Sequence, residues 1–85
     1  MPYSIFVSME KTSIATLKKG ARGIITEIKQ SEVSQRLIEM GLTPGTSFQI
    51  RSISPFGDPI AIRLNDFAVS LRLIDALNII VMPKS

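Results

Sequence analysis

Eighty-five residues, with ten Lys and Arg against seven Asp and Glu and neither cysteine nor histidine, make one small domain able to bury roughly 60–65% of its unfolded surface. The missing cysteine removes disulfides, thiolate metal sites and cysteine nucleophiles; the missing histidine removes the usual transition-metal ligand and the usual acid or base near neutral pH. Carboxylates and backbone oxygens are left, which suit weak binding of a hard cation, so neither an enzyme, a cofactor nor a tight metal site is expected.

Residues 1–11 read as an N-terminal arm, loose or added as an edge strand, ahead of one domain over residues 12–85. Thr12 or Ser13 caps a helical turn through Ile14, Ala15 and Leu17, and Lys18-Lys19-Gly20 closes it with positive charge and a glycine. From Ala21 to Lys29 the β-branched residues alternate as in a strand, with Ile24, Thr26 and Ile28 on one side. Ser31 then caps a helix with Glu32 near its positive end, and Val33, Leu37 and Met40 share one face at spacings of four and three. Gly41 ends that helix in the left-handed conformation. Leu42 folds back on Leu37, as a Schellman cap requires. Pro44 and Gly45 supply the two central positions of a type II turn.

Three strands follow. The first, Ser47 to Ile53, turns Phe48 and Ile50 inward, and the loop Ser54-Pro55-Phe56-Gly57-Asp58 leads to Pro59 at the start of the next. In the hairpin around Asn65-Asp66, both residue types accept positive φ. A two-residue loop pairs Leu64 with Phe67, Ile62 with Val69 and Ile60 with Leu71, all on one face. Leu73 to Leu77 reads as a helical turn and Asn78 to Met82 as a last strand, apolar on both faces and therefore enclosed. About five short antiparallel strands close most economically as an SH3-like barrel, mainly β, with the one main helix between the first and second strands. An OB-fold is the alternative.

The longest apolar stretches, Ile5-Phe6-Val7 and Ile79-Ile80-Val81-Met82, fall far short of the ~20 residues of a membrane helix. The start carries no basic segment or small-residue cleavage site, so a cytoplasmic protein without membrane insertion is expected.

Asp58, Asp66 and Asp75 fall in or near turns, where carboxylates cap backbone groups. The serines have no histidine partner and no glycine run forms a phosphate cradle. On the outward face of the strands the alternation puts Arg51, Ala61 and Ser70 in one row, Arg63 and Ala68 in the next, and Arg72 near the end. Small residues ringed by arginines can receive another surface. The same arginines fit a phosphate backbone less well, since no aromatics lie between them. Phe56 at a loop tip is an anchor for a partner, unless it folds back over the barrel end.

Three blocks, Arg36-Leu37-Ile38-Glu39-Met40-Gly41-Leu42-Thr43-Pro44-Gly45, Ser54-Pro55-Phe56-Gly57-Asp58-Pro59-Ile60 and Val69-Ser70-Leu71-Arg72, together resemble the FeoA family of small cytosolic proteins associated with bacterial ferrous iron transport. The likeness runs over roughly residues 12 to 82 and does not reach the arm. It implies an SH3-like barrel and a non-enzymatic regulatory role beside FeoB, a ferrous iron transporter with a cytosolic GTPase domain. It also implies a family-level link to transition-metal ions, without an agreed active site. On that basis Leu42, Thr43, Pro44, Phe56, Asp58, Arg51, Arg63 and Arg72 are the candidate partner-binding residues, and exposed strand edges leave room for a homo-oligomer. The alternative function is a nucleic-acid-binding module of the kind found at the C-terminus of metal-dependent repressors.

Overall fold

Apolar residues at a spacing of two put one side of each strand against a common interior, and six strands result among the described residues. They are β1 (Thr12–Ser13), β2 (Arg22–Ile28), β3 (Ser47–Ile53), β4 (Ile60–Leu64), β5 (Phe67–Leu71) and β6 (Ile79–Pro83). The structure, a computed structural model, describes residues 10–29 and 34–84. Two short helices, α1 (Ser34–Glu39) and α2 (Leu73–Ala76), and a 3₁₀ turn (Ile14–Thr16) complete it. The strands form one antiparallel sheet in the order β1-β6-β2-β3-β4-β5. Its core holds Ile14, Ile25, Leu37, Leu42, Phe48, Ile50, Ile62, Leu64 and Val81, all buried.

Two features of the expected architecture need correction. Among the described residues the sheet is not closed into a barrel: its end strands β1 and β5 pair only with β6 and β4. With two residues, β1 offers too few backbone groups to complete a ring. That extra strand also moves the main helix, which lies between the second and third strands rather than the first and second. β6 lies between β1 and β2 in the sheet, with Ile79 and Val81 buried on one face and Ile80 and Met82 half-buried on the other.

The N-terminal elements are partly as read. Ser13 caps the 3₁₀ turn by accepting from the Ala15 N–H at 3.1 Å, and its hydroxyl donates to the Ala76 carbonyl at 3.0 Å, so one serine ties the first turn to α2. Lys18-Lys19-Gly20 is not the end of that helix. The turn stops at Thr16, and Lys18 to Ala21 form a turn of their own, closed by the Ala21 N–H on the Lys18 carbonyl at 3.0 Å. The arm, apart from Glu10 and Lys11, and the N-cap assigned to Ser31, with Glu32 and Val33, lie outside the described residues.

Strand β2 carries a bulge that the alternation does not reveal. Ile25 pairs with Val81 and Glu27 with Ile80, leaving Thr26 as the extra residue, and the Thr26 hydroxyl donates to the Ile80 carbonyl at 3.1 Å. The bulge resets the facing of the strand. Ile25 is fully buried while Ile24 is exposed, so the row Ile24, Thr26 and Ile28 is not a single face. Beyond α1 the chain follows the expected path closely. The Leu42 N–H reaches the Leu37 carbonyl at 3.1 Å and the Gly41 N–H reaches Ile38 at 3.0 Å, the two bonds of a Schellman cap. Gly41 has φ of 101°, where a side chain would be strained. Thr46 N–H then closes the turn on the Thr43 carbonyl at 3.1 Å, with Gly45 at φ 94°, as a type II turn demands.

In the β4–β5 hairpin all three apolar pairs form in the predicted register, Leu64 with Phe67, Ile62 with Val69 and Ile60 with Leu71. The loop itself differs. No residue other than glycine has positive φ among those described, so Asn65-Asp66 does not use the mirror-image turn. The cross-strand apolar pairs therefore set the register, and the loop follows.

Candidate partner-binding surface

Local chemistry decides where each candidate side chain ends up. Leu42 is the hydrophobic member of the Schellman cap, and such a residue turns back onto the helix it terminates; it is 0% exposed and part of the core. Its expected place on a contact surface is corrected accordingly. Thr43 is half-buried, its hydroxyl 2.9 Å from that of Thr46, and only Pro44 and Gly45 of this turn are exposed. The turn's backbone is occupied as well: the Gly45 N–H donates to the Ile25 carbonyl at 2.7 Å, and the Ile25 N–H to the Thr46 carbonyl at 2.9 Å.

The Ser54 to Pro59 loop is the opposite case. Phe56 is 95% exposed at its tip and does not fold back over the sheet. The loop that carries it is nevertheless fixed. Gly57 N–H closes on the Ser54 carbonyl at 2.7 Å, Ser54 N–H reaches the Pro59 carbonyl at 3.2 Å, and the Asp58 carboxylate accepts from the Leu73 N–H at 3.0 Å. Asp58 thus caps α2 from fifteen residues away, in place of Arg72, which holds the N-cap position without a side-chain bond. A carboxylate at a helix start satisfies an orphan donor and favours the dipole. Here it also pins the loop.

The arginine face is only partly assembled as predicted. Arg63 pairs with Ala68 and Ala61 with Ser70, but Ala61 faces Ser52 on β3. Arg51 is the extra residue of a bulge between Ile50 and Ser52, so it does not stand in the Ala61 row. The row that forms instead runs Arg22, Gln49, Arg63, Ala68 across four strands. Arg51, Arg63 and Arg72 are all exposed. Arg72 lies with Asp58, Pro59 and Ser70 around one open depression, beside the base of the Phe56 loop.

A cleft of about 330 Å³ between α1 and the end of β5 was not foreseen. Leu37, Met40 and Leu71 give it apolar walls, Arg36 and Arg72 line it, and Asp75 lies among them, 6% exposed. Asp75 stands in the first turn of α2, where a carboxylate favours the helix dipole. The sequence singles out Asp75 itself, the one charged residue in the apolar run Leu73 to Leu77, but not the cleft around it. Among the described residues no three His, Cys, Asp or Glu come together as a metal site, and no helix is long and apolar enough to cross a membrane.

The FeoA domain profile matches residues 12–83. Among solved structures, the chain is similar to a FeoA-like protein from Clostridium acetobutylicum, 30% identical, with a TM-score of 0.79 and 85% of each chain covered. It is similar also to FeoA from Chlorobium tepidum, 28% identical, with a TM-score of 0.80, over 87% of this chain and 71% of the other. Stenotrophomonas maltophilia FeoA, a zinc complex described as an SH3 domain protein, matches with a TM-score of 0.73 over 84% of this chain and 93% of the other. At 16% identity it shares the fold alone, which is accordingly SH3-like. Manganese-dependent transcriptional repressors also match, at 14% identity and over less than half of their length, again a likeness of fold alone.

Proposed function

The chain belongs to the FeoA domain family, and from that premise we propose that it is a non-catalytic accessory protein of ferrous iron transport. It docks through the Ser54 to Pro59 loop on the cytosolic, GTPase-containing part of a FeoB-type membrane transporter. The observation that carries this reading is Phe56, 95% exposed on a loop held by three hydrogen bonds. Burying a phenylalanine side chain is worth about 1.5–3 kcal/mol, and aromatic anchors of this kind dominate protein interfaces. A rigid loop loses little conformational freedom on binding, so more of that gain appears as affinity. Exposed Pro44, half-buried Thr43 and the exposed arginines Arg51, Arg63 and Arg72 are the remaining candidate contacts, and rim charges of this sort act mainly on association rate and orientation.

The test is capture of the transporter's purified cytosolic domain by this chain, in the nucleotide-free, GDP-bound and GTP-bound states. The unaltered chain binds in at least one state, and Phe56→Ala binds at least about thirtyfold more weakly, as loss of a hot spot worth about 2 kcal/mol requires. Absence of binding in every state sinks the proposal. Undiminished binding by Phe56→Ala removes the loop from it.

A further inference from the structure

An edge strand exposes a row of free N–H and C=O groups that would pair with another chain, and proteins ordinarily shorten, bulge, charge or interrupt such strands. At one end of this sheet β1 follows the rule with only two residues. At the other end β5 does not. Phe67–Leu71 has five residues, an unbroken register against β4, and neither lysine nor proline. Among the described residues no backbone hydrogen bond reaches its outer side. Residues of an antiparallel ladder alternate between pairs that exchange hydrogen bonds and pairs that do not. Because Leu64 and Phe67 flank a two-residue loop, they exchange bonds, as do Ile62 with Val69 and Ile60 with Leu71. Ala68 and Ser70 consequently turn their N–H and C=O groups outward.

We propose that β5 is a self-pairing edge, through which two copies of this chain join antiparallel about a twofold axis at Val69. In that register Val69 faces Val69 of the second copy, Ala68 faces Ser70, Phe67 faces Leu71 and Asp66 faces Arg72. Three features select a second copy rather than an unrelated strand. The outward groups of Ala68 and Ser70 meet one another, so the free donors and acceptors of each copy are met by those of the other. Asp66, in the hairpin turn, and Arg72, at the N-cap of α2, bracket β5, and the twofold axis opposes these unlike charges at both ends of the pairing. On the inner face Phe67, 44% exposed, comes diagonally beside Val69 of the second copy, within reach of an aromatic ring. The small side chains of Ala68 and Ser70 raise no barrier on the outer face. An interface in which the same patch serves both copies is what closed dimers use.

The chain has no cysteine, so one introduced thiol reports the register. Directly opposed residues in a pair without hydrogen bonds have Cβ atoms about 4.5–5.5 Å apart, and modest adjustment brings them to the roughly 3.5–4.5 Å of a disulfide. Val69→Cys is expected to give a covalent dimer on mild oxidation, and Ser70→Cys, displaced from its own copy, at least tenfold less. Sedimentation of the cysteine-free chain should show its mass rising toward twice the monomer with concentration. Asp66→Arg and Arg72→Asp should each reduce the dimer, and the two together should restore it, with circular dichroism confirming that every variant is folded. A monomer at all concentrations without Val69→Cys cross-linking overturns the proposal. So does a dimer indifferent to both charge reversals, or one in which Ser70→Cys cross-links as well as Val69→Cys.

Discussion

Thr43-Pro44-Gly45-Thr46 and Ser54-Pro55-Phe56-Gly57 flank β3, and both place proline second in a four-residue turn closed from the fourth N–H to the first carbonyl. Both hold a glycine at positive φ, Gly45 at 94° and Gly57 at 83°. Their surroundings differ entirely. The first turn is roped to β2 through Ile25, and the leucine just before it is wholly inside the core. The second is fastened at its base through Asp58 and Ser54, and the phenylalanine at its tip stands in solvent. Turn chemistry fixes the local bend in each case, but the side chain's destination depends on what the sheet places nearby. One turn is structural because β2 is bonded to it; the other is available because, among the described residues, no other strand bonds to its tip.

Leu42→Asp tests the structural turn most severely. It removes a buried leucine, worth about 2–5 kcal/mol, and adds an unpaired buried charge, so the domain is expected to lose cooperative thermal unfolding altogether. A sigmoidal melt near that of the parent chain would break the contrast between the turns. Gly41→Ala adds a Cβ only 3.0 Å from the Phe67 ring, at a φ of 101°; a loss of about 2 kcal/mol in urea denaturation is expected, from left-handed strain and crowding together. Asp58→Ala should cost about 1 kcal/mol through loss of the α2 cap, with Asp58→Asn retaining most of it. The same pair of variants sharpens the comparison on the other side, since uncapping also releases the base of the Phe56 loop. Phe56→Ala is expected to change stability by less than about 0.5 kcal/mol, the usual range for exposed positions, while weakening transporter binding. A large drop in melting temperature would mean that Phe56 is packed in solution and that the two turns are alike after all.

Much of this fold is legible in the residues. The Schellman cap, the type II turn and the β4–β5 register all follow from local chemistry or from short-range pairing, where one strand's apolar set must meet the next. The bulges at Thr26 and Arg51 are not legible, because they are consequences of how β2 and β3 meet distant strands. They set Ile24 and Ile28 on opposite sides of β2 and took Arg51 out of its row. Closure failed for a similar reason: β1, two residues long, is defined by its pairing with Val81 and Ile80 and not by any pattern of its own. Of the candidate site, Phe56 at a loop tip and Asp58 among the capping carboxylates could be read from the residues, but whether Phe56 folds back over the sheet could not. The cleft holding Asp75 could not, since α1 and α2 are brought to either side of it by residues far apart in the chain.

The reciprocal bonds that Ile25 makes with the Gly45 N–H and the Thr46 carbonyl also govern motion. Gly45 N–H is enclosed by a partner on β2 at 2.7 Å, so its exchange with solvent deuterium requires the turn to lift off the sheet, and Leu42 leaves the core if the helix end moves with it. Its amide should accordingly be protected to nearly the same degree as those of the central strands, an unusual persistence for a turn glycine and a direct measure of how far the sheet's cooperative unit extends beyond its strands.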